Sequence, residues 1–150
     1  MTRGMRGAFK DTPPEVMLSV ALKAAVQRAN LDPKLVQDIA VANNLNFTTA
    51  QSTGRMAAGI PFTSTLYYFN RYGSSGMETC VAIAESIIAG RIDCGIGAGV
   101  ETMSRAGWKD FKIEKNLLWE EIFTNKIARD ALTPMGMTSE NIAEKFGITR

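Results

Sequence analysis

The run from Phe62 to Met77 limits what this chain can fold into more than any other stretch. Residues 62–69, Phe-Thr-Ser-Thr-Leu-Tyr-Tyr-Phe, are β-branched and aromatic and predict a strand. Gly73 and Gly76 bracket Ser74 and Ser75, which predicts a tight turn. From about Ser75 to Ala89 the apolar spacing becomes helical. Strand, tight turn and helix N-terminus together are a standard mounting for a nucleophile. The unpaired N–H groups and the positive dipole end of the helix favour an anion at the turn.

The flanking segments alternate in the same way. Thr12-Pro13-Pro14-Glu15 predicts a helix start, with Thr12 as N-cap, Pro13 at N1 and Glu15 completing a capping box. Leu18, Ala21, Leu22, Ala25 and Ala29 then mark a core-facing stripe that Asn30 ends. Asp32-Pro33 starts one further short turn. Asp38–Ala42 predicts a buried strand of parallel type. Residues 43–53 are polar and predict a loop, and Gly54 to Gly59 holds a helical fragment of one or two turns. In the helix after the Gly-Ser-Ser-Gly turn, Val81, Ala84, Ile87 and Ile88 predict enclosure on most sides, with Gly90 just past its end. Residues 93–101 predict another strand, whose Gly95, Gly97 and Gly99 share one face and admit a close-packed helix. Ser104 to Leu132 predicts a long excursion, of the kind that often forms a lid. Thr138 is expected to cap a last helix ending at Gly147. The alternation predicts an α/β layered fold with a largely parallel sheet.

Composition removes several functions. The chain has 150 residues, enough for one domain with a sizeable core. Net charge is +2, and basic and acidic residues are interspersed without a stripe, which argues against nucleic acid. No apolar run approaches the roughly 20 residues of a membrane span, and residues 1–10 lack the apolar core of a secretory signal. The Gly95-x-Gly97 stretch has Val100 and Thr102 where a dinucleotide fingerprint needs glycine and a helix start. Cys80 and Cys94 sit in apolar segments and are expected to be buried free thiols. There is no histidine, so this chain alone offers neither Ser-His nor Cys-His catalysis, and a two-cysteine metal site is poorly supported.

Asn70-Arg-Tyr-Gly-Ser-Ser-Gly76 resembles the N-R-x-C-S-S-G signature of the thiolases. The likeness extends through Arg6–Thr12, Leu31-Asp-Pro33, Asp38–Asn43, Gly99-Val-Glu-Thr-Met-Ser104 and Pro134–Thr149, nearly the whole chain. It is strongest toward the N-terminal domain of peroxisomal-type 3-ketoacyl-CoA thiolases. The resemblance implies a thiolase-like layered fold and fatty acyl-CoA or acetoacetyl-CoA chemistry of the β-oxidation type. It also implies coenzyme A as substrate with no further cofactor, a dimer, and a peroxisomal location, although no targeting signal is visible. In that chemistry a low-pKa cysteine thiolate attacks a 3-ketoacyl thioester, releases acetyl-CoA and passes the shortened acyl group to coenzyme A. A histidine and a second cysteine from the C-terminal half move protons.

Four departures follow. Gly73 stands where the family has its nucleophile, so no catalytic residue is intact. The C-terminal half, the first strand of the N-terminal sheet and about three residues between Ala58 and Gly59 are expected to be missing. Cys80 lies seven residues on, roughly 10 Å along the helix, too far to substitute. Ser74 and Ser75 lack both the G-x-S-x-G spacing and a base, and read as cap or turn residues. Met103 and Met135 match positions near the acyl pocket and are the substrate-binding candidates. Residues 104–135 resemble the substrate-covering loop region, where Lys109, Lys112, Lys115 and Lys126 would either meet coenzyme A phosphates or form a solvated face. Two functions are thus expected to compete. One is a thiolase-family acyltransferase by descent. The other is a non-catalytic, truncated thiolase-like protein that binds an intact thiolase or acyl-CoA.

Overall fold

The computed structural model describes residues 5–45, 50–104 and 119–149, in two compact units divided between Phe111 and Lys112. The first unit is built on a three-stranded parallel sheet: β1 (Asp38–Ala42) lies between β2 (Thr65–Phe69) and β3 (Gly95–Gly99). Asp38 is level with both Thr65 and Gly95, and Ala42 with Phe69 and Gly99. All five residues of β1 are buried, as its short apolar sequence predicts.

The sheet's two faces are built differently. Ile39 and Val41, with Leu66, Ile96 and Ala98 beside them, pack on Leu18, Leu22 and Val26 of helix α1 (Pro14–Arg28). Helix α2 (Ala50–Ala57) crosses α1 where Gly54 leaves room: a Cβ there would stand 3.2 Å from the Glu15 carbonyl. The other face carries Ala40, Ala42, Gly95, Gly97 and Gly99, and helix α3 (Ser75–Ile88) lies against it. A Cβ on Gly97 would come within 2.8 Å of the Cys80 backbone, so the strand glycines admit a close-packed helix, as their register predicts.

The second unit contains α4 (Glu121–Thr124), α5 (Lys126–Asp130) and α6 (Met135–Phe146). Asn125 caps α5, accepting from the N–H groups of Ile127 and Ala128. Gly147 ends α6 in the left-handed conformation, and Ile148 N–H reaches back to the Ala143 carbonyl. No helix among the described residues is long and apolar enough to cross a membrane.

Several local expectations are corrected. The α1 capping box does not form: Pro13, preceding another proline, is held extended with ψ 144°, so Pro14 becomes the first helical residue and Thr12 falls outside. The buried stripe of α1 is Pro14, Leu18, Leu22 and Val26, rotated away from Ala21, Ala25 and Ala29. Helix α2 begins at Ala50, inside the expected loop. β2 begins only at Thr65, because Ser64 N–H closes a turn on the Pro61 carbonyl and its hydroxyl donates to Val36 O. β3 is likewise shorter than residues 93–101, since the Asp93 and Cys94 N–H groups donate to the Gln37 side chain. Thr138 lies inside α6, which Pro134 opens. Cys80 is exposed and Cys94 half-buried; both are free thiols. Val81, Ala84, Ile87 and Ile88 are exposed rather than enclosed, and the face of α3 turned to the sheet is Ser75, Thr79, Ile83 and Ser86.

Candidate active site

Parallel strands bring their C-terminal ends to one edge, where ligands of open α/β sheets commonly bind. Three loops meet there: Asn43–Leu45 after β1, Asn70–Ser74 after β2 and Val100–Thr102 after β3. They enclose an open cavity of about 290 Å³ whose lining includes Asn44, Tyr72, Gly73, Gly76 and Glu101. A larger cavity, about 500 Å³, lies between Tyr67 and Arg91 beside the C-terminal end of α3. The smaller cavity, at the strand ends and the head of α3, is the candidate site.

The turn that holds Gly73 is pinned from both sides. Asn70 Oδ1 accepts from Tyr72 N–H at 3.2 Å. Tyr72 takes the left-handed conformation, φ 49°, a strained setting for a large side chain. The buried Ser75 hydroxyl accepts from Arg71 N–H at 2.8 Å. Its one proton has two acceptors in reach, the Tyr72 carbonyl at 2.6 Å and Asn44 Oδ1 at 2.8 Å. Asn44 Nδ2 donates in turn to the Tyr72 carbonyl at 3.1 Å. Glu101 Oε2 accepts from the Asn44 and Leu45 N–H groups at 2.9 and 3.3 Å, tying the β1 loop to the β3 loop. Ser74 hydroxyl donates to the Arg71 carbonyl, and the Arg71 guanidinium pairs with Glu78 at 2.6 Å. Ser74 and Ser75 therefore serve the turn.

At the head of α3, Gly73 is exposed, and a Cβ built on it meets nothing within 4 Å. Its φ lies outside the left-handed region. A side chain at this position would have open space at a helix N-terminus, beside the cavity.

The other candidates are dispersed. Met103 is half-buried just past the buried Thr102. Met135 opens α6 and is 72% exposed. Lys126 pairs with Asp130 at 2.6 Å, and this bond holds the Asp130 carboxyl below its ordinary value. Lys109, Lys112 and Lys115 lie outside the described residues. No cluster that could hold a metal ion occurs among the described residues. Asn44 and Glu101 are the site residues that sequence reasoning did not single out. Their signal was position, directly after two parallel strands.

A three-layered α/β unit thus presents a polar turn, at the head of a helix, beside the ends of its parallel strands. The thiolase N-terminal domain model matches residues 1–150, and this chain belongs to the thiolase family. Peroxisomal 3-ketoacyl-CoA thiolase A of Mus musculus is 43% identical over 152 residues, covering 99% of this chain and 35% of the relative. The dimeric peroxisomal thiolase of Saccharomyces cerevisiae superposes with a TM-score of 0.85 at 32% identity, over 99% of this chain and 39% of that one. A second structure of peroxisomal 3-ketoacyl-CoA thiolase from that yeast gives 0.77 at 31% identity, over 93% of this chain and 39% of that one. It is described as a five-layered α-β-α-β-α structure constructed from two core domains of identical topology. The chain thus spans about a third of the length of the curated relatives it matches.

Proposed function

We propose that this chain is a thiolase-type N-terminal core that keeps the acyl-transfer frame but does not turn over 3-ketoacyl-CoA. The observation that carries the reading is Gly73: this position at the head of α3 is open, it matches the family's nucleophile by resemblance, and without a side chain it forms no acyl-enzyme. None of the 150 residues is a histidine, so proton transfer has no imidazole here either. Coenzyme A or acyl-CoA remains a candidate ligand at the strand-end cavity; Met103 and Met135 stay acyl-chain candidates by resemblance to the family, each in its own unit. A peroxisomal location is proposed from the relatives. The test is thiolysis of acetoacetyl-CoA and of a longer 3-ketoacyl-CoA by purified protein with coenzyme A. Absence of turnover is expected, and measurable turnover refutes the reading.

A partner-binding role is the second reading, favoured by the outer side of α3. Met77, Val81, Ile87 and Ile88 are 67, 40, 43 and 86% exposed there. Five layers made from two domains of identical topology imply a helix layer common to both domains. We read α3 as this chain's share of such a layer, available to an intact thiolase or another core of the same topology.

A further inference from the structure

We propose that Asn44 is a positioning residue: it clamps the Tyr72 carbonyl, holds Tyr72 in its left-handed conformation and so sets the peptide plane from which residue 73 starts. The inference rests on reading position 73 as the nucleophile mount, and it goes further by naming the residue that keeps its geometry.

Asn44 engages all three loops of the site at once. Its N–H donates to Glu101 at 2.9 Å and its carbonyl accepts from Asn70 Nδ2 at 3.5 Å, which fixes its backbone against both neighbouring loops. Its side-chain amide then reaches the turn, with Nδ2 on the Tyr72 carbonyl at 3.1 Å and Oδ1 beside the Ser75 hydroxyl at 2.8 Å. A carbonyl only accepts, so Nδ2 must face it, and one amide orientation satisfies both partners. The same carbonyl also accepts from Ser75 N–H at 3.2 Å. Nothing in the Tyr72 side chain favours a φ of 49°, since it is 85% exposed. A bulky residue keeps that conformation only where its surroundings over-determine it. Gly73 does not supply the constraint, because glycine takes either sign of φ at little cost. The Tyr72 carbonyl and the residue 73 N–H share one planar peptide, so a clamp on the first aims the second and the backbone that follows. Asn44 applies it from 28 residues away, a hold that the turn cannot provide for itself.

NMR of the chain with its native Gly73 tests the clamp. A strong intraresidue HN–Hα NOE, the mark of a positive φ, is expected at Tyr72 and should be lost in Asn44→Ala. Asn44→Asp keeps the acceptor for Ser75 but turns an oxygen toward the Tyr72 carbonyl, so it should lose the signal too, and it serves if Asn44→Ala does not fold. Positioning of residue 73 is read in a Gly73→Cys background, from the pH profile of alkylation of the introduced thiol. Adding Asn44→Ala should return the inflection most of the way to the ordinary value near about 8.5. A further Tyr72→Asn should bring it down again, because asparagine enters the left-handed region several-fold more readily. A residue that merely stabilised the fold would lower the denaturation midpoint and leave the inflection in place. The proposal is overturned if Tyr72 lacks the NOE in the native chain, if both Asn44 variants keep it, or if the inflection ignores Asn44→Ala. None of these readouts involves turnover, so they stand apart from the thiolysis assay. An undepressed inflection even beside Asn44 refutes the mount, whereas the NOE decides the clamp.

Discussion

Replacing Gly73 by cysteine should create an activated thiol without disturbing the fold. The new Cβ enters open space, and the backbone at 73 is not left-handed, so neither clash nor strain opposes it. The thiol would stand at the N-terminus of the 14-residue helix α3. A helix end stabilises a nearby anion by about 0.3–2 kcal/mol, which at 1.36 kcal/mol per pH unit lowers a thiol pKa by about 0.2–1.5 units. Arg71 contributes little beyond this, since Glu78 at 2.6 Å offsets its charge. From an ordinary value near 8.5, the pKa should fall to about 7–8.3, raising the thiolate fraction at pH 7 by roughly 1.5- to 16-fold. The assay is the pH dependence of iodoacetamide alkylation at position 73, followed by peptide mass spectrometry so that Cys80 and Cys94 are scored separately. An inflection at or above about 8.5 would refute the claim that this turn is a preserved nucleophile mount.

Other substitutions test the packing and the polar frame. Gly73→Ala should raise stability by about 0.4–1 kcal/mol in chemical denaturation, because it restricts the unfolded chain at a compatible, open position. Gly97→Ala should lower it by about 1–3 kcal/mol, since the methyl would stand 2.8 Å from the Cys80 backbone. Ser75→Ala should cost about 1–3 kcal/mol in the same measurement, because the buried hydroxyl bridges Arg71 N–H to the Tyr72 and Asn44 oxygens. Tyr67 has its pKa raised, chiefly by burial and then by Asp38. The folded state therefore holds this proton more tightly than the unfolded one. That contribution is fully present below about pH 10 and is lost as pH rises through the higher folded value. Alkaline denaturation of Tyr67→Phe should lack that loss.

Much of the frame is legible in the sequence because local and global signals agree. Asp38–Ala42 is short, apolar and bounded by polar residues, and it is the fully buried central strand. The glycine register of β3 gave the helix-facing side, and the Gly-Ser-Ser-Gly turn gave the head of α3. The orientation of α3 was not legible from periodicity. Its apolar residues point outward because the surface beneath is glycine and alanine, which favours small residues and close backbone approach. The inward hydroxyls are satisfied locally, Thr79 by the Gly76 carbonyl and Ser86 by Ala82. Asn44 was hidden in a polar stretch whose composition says loop, while its partners Tyr72 and Ser75 lie about thirty residues away. No local pattern encodes such a contact. The start of α1 was lost to a competition between two prolines that only backbone sterics decides.

Whether Gly73 has removed covalent chemistry is tested most directly by intact mass after incubation with a 3-ketoacyl-CoA. The native chain should keep its mass, with no acyl group on Cys80, Cys94 or either serine of the turn. A stoichiometric acyl adduct on the native chain would mean that another residue carries the acyl group, and the account of an empty mount would be wrong.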